Sequence, residues 1–406
     1  MQRSSLLRPP TWPTAAGALW LAAVACLALF PAPVTDPRPD TLGRLCLICG
    51  DRGTSDAILN IWFFVPLGLV MAARGKGWRY SWVIGTLLST GIETAQLVLP
   101  GRYPTLGDVV WNGLGAALGA ALFRGVAAHR RRGPAASPRS GRAAAVGVGL
   151  SLALAGWLLG PSPTHRAYWG QWTPDLGFMP RYEGRLLEAT FGGTPFPRGR
   201  FPPHTDGAAT LRGPWVLRTV LVKGPPPPSV SPVASIYDAD QDEILVLGVD
   251  GDDIVLRERT RAKAFRMDHP DLRTPGGLAS IPVGDPVTLG VRRDGDDRCI
   301  SVDEQESCGK GFTPGRTWGL LLYVESLPEW ARRVVDAGWL LMLFAPLGLL
   351  APLPRHVLGN AGIAVVTAMS GVMATRMTAP TMVEIGGSLA GLAVGWWARS
   401  LFRTNA

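Results

Sequence analysis

The stretch IETAQLVLPGRYPTLGDVVWNG, residues 92–113, sets Glu93, Gln96, Arg102, Asp108 and Asn112 among apolar neighbours. Two carboxylates can act as general acid and base, and an arginine between them can anchor an anion or bridge the pair. Glu93 and Gln96 stand three apart and Asp108 and Asn112 four apart, so each pair shares a helix face. Arg102 lies in the tight turn between the two helices. No nucleophilic Ser, Cys or His accompanies the carboxylates, and no metal-ligand set does. Binding of a polar head group is therefore the favoured chemistry, with Glu93 and Asp108 the candidate catalytic residues should there be proton transfer. Enzymatic activity is left open. The competing reading is helix glue, in which the same groups lock a helical hairpin and Asn112 bonds across helices.

The elements that position these groups are apolar runs. A helix needs about 20 apolar residues to cross a bilayer. Eight runs qualify as candidate spans: 14–31, 55–73, 78–99, 106–126, 142–160, 333–351, 357–375 and 380–398. The first is read as a retained anchor and not a signal peptide, because three prolines fall within residues 9–13 and no small-residue cleavage site follows. The net charge is +9. The basic residues cluster in short loops, at Arg74, Lys76 and Arg79 and at Arg130, Arg131 and Arg132, with others at Arg3, Arg8, Arg355, Arg399 and Arg403. This is the pattern of loops retained in the cytoplasm and not of a nucleic-acid surface. It places both termini inside and the loops 32–55, 100–105 and 376–379 outside. Glu93 then sits about 10 Å below the outer end of its span, where an unpaired charge costs several kcal/mol.

Residues 165–330 break the apolar pattern. Short runs such as VLRTVLV, PVASIYD, EILVLGV, DIVLRER, PVTLGVR and RTWGLLLYVE alternate with Pro, Gly and Asp turns, the signature of a β-sandwich. The run GPPPPS at 224–229 reads as a rigid loop. The topology puts this domain outside. Its cysteines, Cys299 and Cys308, then face an oxidising compartment and read as a disulfide, with Cys46 and Cys49 as a second close pair, a local disulfide or free thiols; Cys26 reads as a buried residue. The acidic turns at 238–243, 250–253 and 294–297 offer calcium candidates, chiefly Asp238, Asp240 and Asp242, against the plainer reading of solvated hairpins. No cofactor is expected. Trp215, Tyr237 and Trp318 are the aromatic residues for a sugar platform, Trp318 competing with a place in the core.

The chain also repeats itself. FFVPLGLV at 63–70 returns as LFAPLGLL at 343–350, and TLGDVVWNGLGAALG at 105–119 returns as TMVEIGGSLAGLAVG at 381–395. Asp108 aligns with Glu384, Asn112 with Ser388, Gly115 with Gly391 and Gly119 with Gly395. Two four-helix halves are the reading, with the β domain grown out of the loop after the first helix of the second half. Glu93 has no acidic counterpart. The glycine faces 115/119 and 387/391/395 are expected to mediate close helix packing, and to meet one another across a pseudo-twofold axis.

These motifs carry a resemblance. Asn60 before FFVPLG, then IETAQ, Arg102, and Asp108, Asn112 and Gly115 in D-x-x-x-N-x-x-G resemble the VanZ-like family of bacterial membrane proteins over about 100 residues. The polar domain resembles laminin-G or concanavalin A-like sandwiches in its strand pattern. The first resemblance implies a multi-pass protein of the bacterial cytoplasmic membrane. It also implies a link to resistance to teicoplanin-type glycopeptides and site residues Asn60, Glu93, Gln96, Arg102, Asp108 and Asn112. The expected organisation is a transmembrane half over 1–160, an extracytoplasmic β-sandwich over 161–330 and a degenerate second transmembrane segment over 331–406. The expected partners are membrane lipid and a cell-wall glycan or lipid-linked precursor, and not nucleic acid. The expected role is binding, the alternatives being an enzyme acting on a lipid-linked intermediate and a scaffold that displays the sandwich.

Overall fold

A computed structural model describes residues 12–30, 45–132, 139–163, 168–175, 179–201, 211, 213–268, 270–295, 297–323, 327–351, 353–375 and 377–399. Arg3, Arg8, Arg376 and Arg403 and loop positions 32–44 lie outside these residues. The chain divides into two units: residues 1–138 with 349–354 and 396–406, and residues 139–348 with 355–395.

The first unit holds α1 (Trp12–Leu29), α2 (Gly53–Ala73), α3 (Trp78–Gln96) and α4 (Leu106–Arg131). Their shared core is Trp20 and Val24 from α1, Phe64 and Leu67 from α2, Ile92 from α3 and Ala116 from α4. Helix α4 turns a small-residue face to α2. Gly115 lies on the carbonyl of Ile61 and Gly119 on that of Val65, while Gly68 returns the contact against Ala116. Only residues without a β-carbon let two backbones approach this closely.

The second unit holds α5 (Arg139–Leu159), the β domain, α7 (Glu329–Leu349), α8 (Pro354–Thr375) and α9 (Met382–Ala398); a one-turn helix, α6, covers Arg261–Ala264. Ala145 and Leu152 of α5, Leu340, Phe344 and Leu347 of α7, Ala364 of α8 and Leu392 of α9 form one cluster. Gly387 and Gly391 of α9 lie on the carbonyls of Ala337 and Leu341 of α7. Each glycine face thus packs on a helix of its own unit, and the expected meeting of the two faces is corrected. The contact recurs in register, since Gly391 aligns with Gly115 and Leu341 with Ile61. By length and composition α2, α4 and α5 can each cross a membrane, and Thr14–Cys26 of α1 is a shorter apolar stretch.

The strands are β1 (Tyr168–Trp172), β2 (Arg185–Phe191), β3 (Thr194–Pro195), β4 (Gly199–Arg200), β5 (Trp215–Val222), β6 (Ser231–Asp238), β7 (Glu243–Asp250), β8 (Asp253–Glu258), β9 (Leu272–Thr274), β10 (Pro286–Asp294), β11 (Asp297–Val302) and β12 (Gln305–Ser307). They form two six-stranded antiparallel sheets, in the orders β4-β1-β6-β7-β8-β9 and β12-β11-β10-β5-β2-β3. Alternation decides the packing: Trp215, Leu217 and Leu221 of β5 and Val287, Leu289 and Val291 of β10 face inward. They meet Ile236, Leu245, Leu247, Ile254 and Leu256 of the other sheet in one core. The acidic turns 250–253 and 294–297 join β7 to β8 and β10 to β11, with Gly251 and Gly295 at φ +60° as such tight hairpins require.

Two further expectations are corrected. The described part of the run RTWGLLLYVE, residues 316–323, is not a strand; Gly315–Leu320 forms a 3-10 turn. Close approach explains it, since Gly319 lies on Pro270 and Gly315 on the Glu384 carboxyl, where an extended strand with side chains does not fit. Cys26 is exposed on α1 instead of buried, because the protein core of that helix is reached by Trp20 and Val24.

Candidate functional site

The N-terminal end of α4 organises the first unit. Thr105, in extended conformation, caps the helix and its hydroxyl accepts from the Asp108 N–H at 3.2 Å. The same hydroxyl donates to Asp108 Oδ2 at 3.0 Å, which fixes the carboxylate. Asn60, one helix away on α2, donates its amide to Asp108 Oδ1. Glu93 on α3 accepts the backbone N–H of Thr105 at 3.0 Å. The two carboxylates are thus tied to the same cap from opposite sides.

The turn after α3 and the end of α1 close a second wall. Gln96 donates to the Ala28 carbonyl at 2.8 Å and Arg102 Nε to the Phe30 carbonyl at 3.0 Å. Among the described residues Arg102 forms no ion pair with Glu93 or Asp108, which corrects the expected bridge. Backbone groups and an amide supply what the arginine was expected to supply. Asn112, 5% exposed, donates to Ser89 Oγ at 2.8 Å, while its Oδ1 has no partner.

A third wall is the loop before α2. Cys46 and Cys49 are disulfide-bonded. The Cys46 carbonyl accepts from the Gly107 N–H at 3.1 Å and the Leu47 carbonyl from the Trp111 indole at 2.8 Å. Gly107 is needed there because an added β-carbon would meet the Leu47 carbonyl.

These walls enclose a cavity of about 980 Å³ lined by Asn60, Glu93, Gln96, Arg102, Asp108 and Asn112 together. Sequence reasoning missed Arg52, Asp56, Tyr103, Thr105 and Trp111, which line it too. Two signals stood in the sequence: Asp56 precedes Asn60 by one helical turn, and T-L-G-D is a capping pattern. The apolar part of the lining includes Ala28, Phe63, Phe64 and Ile92. The arrangement can hold a polar group among acceptors with an apolar group beside it.

The β domain carries a smaller cavity of about 450 Å³ lined by Trp172, Tyr237, Arg181, Arg185 and Arg198 among others. Arg198 lies over the Trp172 ring at 3.9 Å, and Trp169 stacks on Tyr237 at 6.3 Å. Of the three expected platform residues, Trp215 and Trp318 are each 3% exposed and belong to the interior. Trp318 spends its indole N–H on Asp336 at 2.7 Å. Asp238 Oδ1 accepts the N–H groups of Asp240 and Asp242, at 3.0 and 3.1 Å, within the β6–β7 hairpin, and Asp242 pairs with Arg259 at 2.6 Å. Cys299 and Cys308 are disulfide-bonded across the β11–β12 hairpin, which takes both sulfurs out of the grouping with Asp297 that, among the described residues, could hold a metal. Outside the helices, Tyr323 accepts from Arg257 at 2.8 Å and donates to Asp271 at 3.0 Å. Burial, and then the Asp271 carboxylate, push its phenol well above the ordinary value. The residue is 38% exposed.

Residues 19–128 match the model of the VanZ/LLP1 family, so this stretch, which contains the larger cavity, is similar to that family. No curated protein and no solved structure matches the chain.

Proposed function

We propose that this chain is a VanZ-type protein of the bacterial cytoplasmic membrane that binds the polar head of an envelope lipid or lipid-linked glycan in the cavity of its first unit. The observation that carries the reading is the convergence of Asn60, Glu93, Gln96, Arg102, Asp108 and Asn112, together with Asp56, on one cavity with an apolar flank. A hairpin merely glued together would leave no such volume between its polar groups. The recurrence of the Gly115–Ile61 contact as Gly391–Leu341 supports eight spans in two four-helix halves. The disulfide between Cys299 and Cys308 supports an extracytoplasmic β domain. In the laminin-G or concanavalin A-like role, that domain engages an envelope glycan at the groove of Trp172, Tyr237 and Arg198. A contribution to glycopeptide resistance follows if the bound lipid is a cell-wall precursor.

The test is lipid retention by the purified full-length protein, with Glu93→Gln and Asp108→Asn checked for native melting. Both variants are expected to lose a lipid that the parent retains. Unchanged retention sinks the pocket and leaves a scaffold. Retention with accumulation of unprocessed precursor in cells assigns catalysis to these carboxylates instead.

A further inference from the structure

The two units carry corresponding carboxylates in two different situations. Aligning Pro66 with Pro346 brings Asp56 onto Asp336 and Arg52 onto Arg332. Aligning Thr105 with Thr381 brings Asp108 onto Glu384, and the cap is the same: the Thr381 hydroxyl accepts from the Glu384 N–H at 3.3 Å.

In the second unit both carboxylates are buried, Glu384 at 1% and Asp336 at 5% exposed. One short stretch of the chain, between β12 and α7, supplies donors to both, and the Thr381 N–H adds one to Glu384 Oε2 at 3.1 Å. Thr313 donates its hydroxyl to Glu384 Oε1, and the Gly315 N–H faces the same carboxylate. Trp318 donates its indole N–H to Asp336, and Arg316 Nε pairs with Asp336 at 3.3 Å. Every group offered is a donor, and the one at Asp336 that carries charge is a cation.

In the first unit the matching positions open on the cavity. Asp56 is exposed on its wall with the Arg52 charge nearby, and its carboxylate accepts no hydrogen bond among the described residues. Asn112 Oδ1, in a side chain more than nine-tenths buried, is a further acceptor without a partner on the same lining. The charged lining is Asp51, Asp56, Glu93 and Asp108 against Arg52 and Arg102. A site with this balance disfavours a purely anionic head and rewards a cation that can donate hydrogen bonds.

We propose that the cavity takes a lipid headgroup bearing a primary ammonium. The ammonium answers Asp56 as Arg316 answers Asp336 in the second unit, while Asp108 already holds the Asn60 amide and the Thr105 hydroxyl. The apolar flank of Phe63, Phe64 and Ile92 receives the start of the acyl chains. This rests on the reading of the cavity as a lipid-headgroup site and narrows its ligand class.

The test reconstitutes the full-length protein in vesicles of equal parts phosphatidylethanolamine, phosphatidylcholine and phosphatidylglycerol, re-extracts it and measures the lipids it retains by native mass spectrometry. Phosphatidylcholine keeps the positive charge without N–H donors, and phosphatidylglycerol keeps hydroxyl donors without the charge. Phosphatidylethanolamine is expected to be enriched over both, and Asp56→Asn to cut that enrichment roughly tenfold, the loss of one charge-assisted hydrogen bond. Equal retention of phosphatidylcholine, or of phosphatidylglycerol, overturns the ammonium donor. These comparisons need only the parent protein, so they hold even if Asp56→Asn misfolds. Displacement of the retained lipid by soluble O-phosphoethanolamine at concentrations matching the lipid's overturns the lipid as source and assigns a free amine. Retention of no lipid above bulk composition overturns both this inference and the headgroup reading beneath it.

Discussion

Asn60 on α2 donates its side-chain amide to Asp108 at the start of α4. The residue aligned with Asn60 in α7 is Leu340, which cannot donate, and there Glu384 receives the Thr313 hydroxyl instead. A carboxylate at a helix start so placed needs a donor from outside its own helix, and each unit finds a different one. Asn60→Leu, copying the second unit, removes the donor without supplying a substitute. It is expected to lower stability by about 1–3 kcal/mol, the cost of leaving a partly buried acceptor short of a partner. The melting temperature of the full-length protein in detergent should fall. An unchanged melting temperature would mean that water replaces the amide at no cost.

Helix packing offers a sharper contrast. A β-carbon at Gly115 would run into the Ile61 carbonyl, and backbone cannot yield unless α2 and α4 separate. Gly115→Ala is expected to cost about 2 kcal/mol or more, as overpacking at a fixed backbone contact does. At Gly91, on α3, an added β-carbon meets nothing within 4 Å. Gly91→Ala is expected to be neutral or stabilising by up to about 1 kcal/mol through helix propensity. Equal effects of the two substitutions in thermal melts would remove close packing as the reason for the α4 glycines.

The β domain gives a dependence on pH. Tyr323 has its phenol held above the ordinary value of about 10 by burial and by Asp271. The folded state therefore favours the neutral phenol. That contribution is complete below about pH 10, where the unfolded chain is neutral too, and is lost as pH rises toward the folded value. Tyr323→Phe should melt lower than the parent near neutral pH, since two hydrogen bonds go. Above about pH 10 its melting temperature should fall less steeply than the parent's. Parallel curves through that range would show that Tyr323 does not couple to alkaline unfolding.

Much of this was legible in the sequence. All eight apolar runs lie within a few residues of helices, because length and hydropathy are local properties. The strands of the sandwich could be read from alternation and turn residues, and the pairing of Cys299 with Cys308 from proximity. Where reading failed, a long-range contact had overridden a local pattern. R-T-W-G-L-L-L looks like a strand by itself, yet Gly315 must lie on Glu384 and Trp318 must reach Asp336. Arg102 looks like the partner of two carboxylates, yet it bonds the Phe30 carbonyl, while the Thr105 backbone and the Asn60 amide take the acidic groups.

By itself the sequence determined where the apolar helices lie, which positions are polar inside them, and that two motifs recur in order. These are encoded in residue types and spacing within one turn or one strand. Only the tertiary structure decided that Asp56 and Asn60 of α2 share one cavity with Asp108 of α4, and that the aligned carboxylates of the second unit are closed off by Thr313, Arg316 and Trp318. Satisfying a buried acceptor depends on which donor arrives from a distant part of the chain. That is set by packing across helices and leaves no local signature in the residues that receive it.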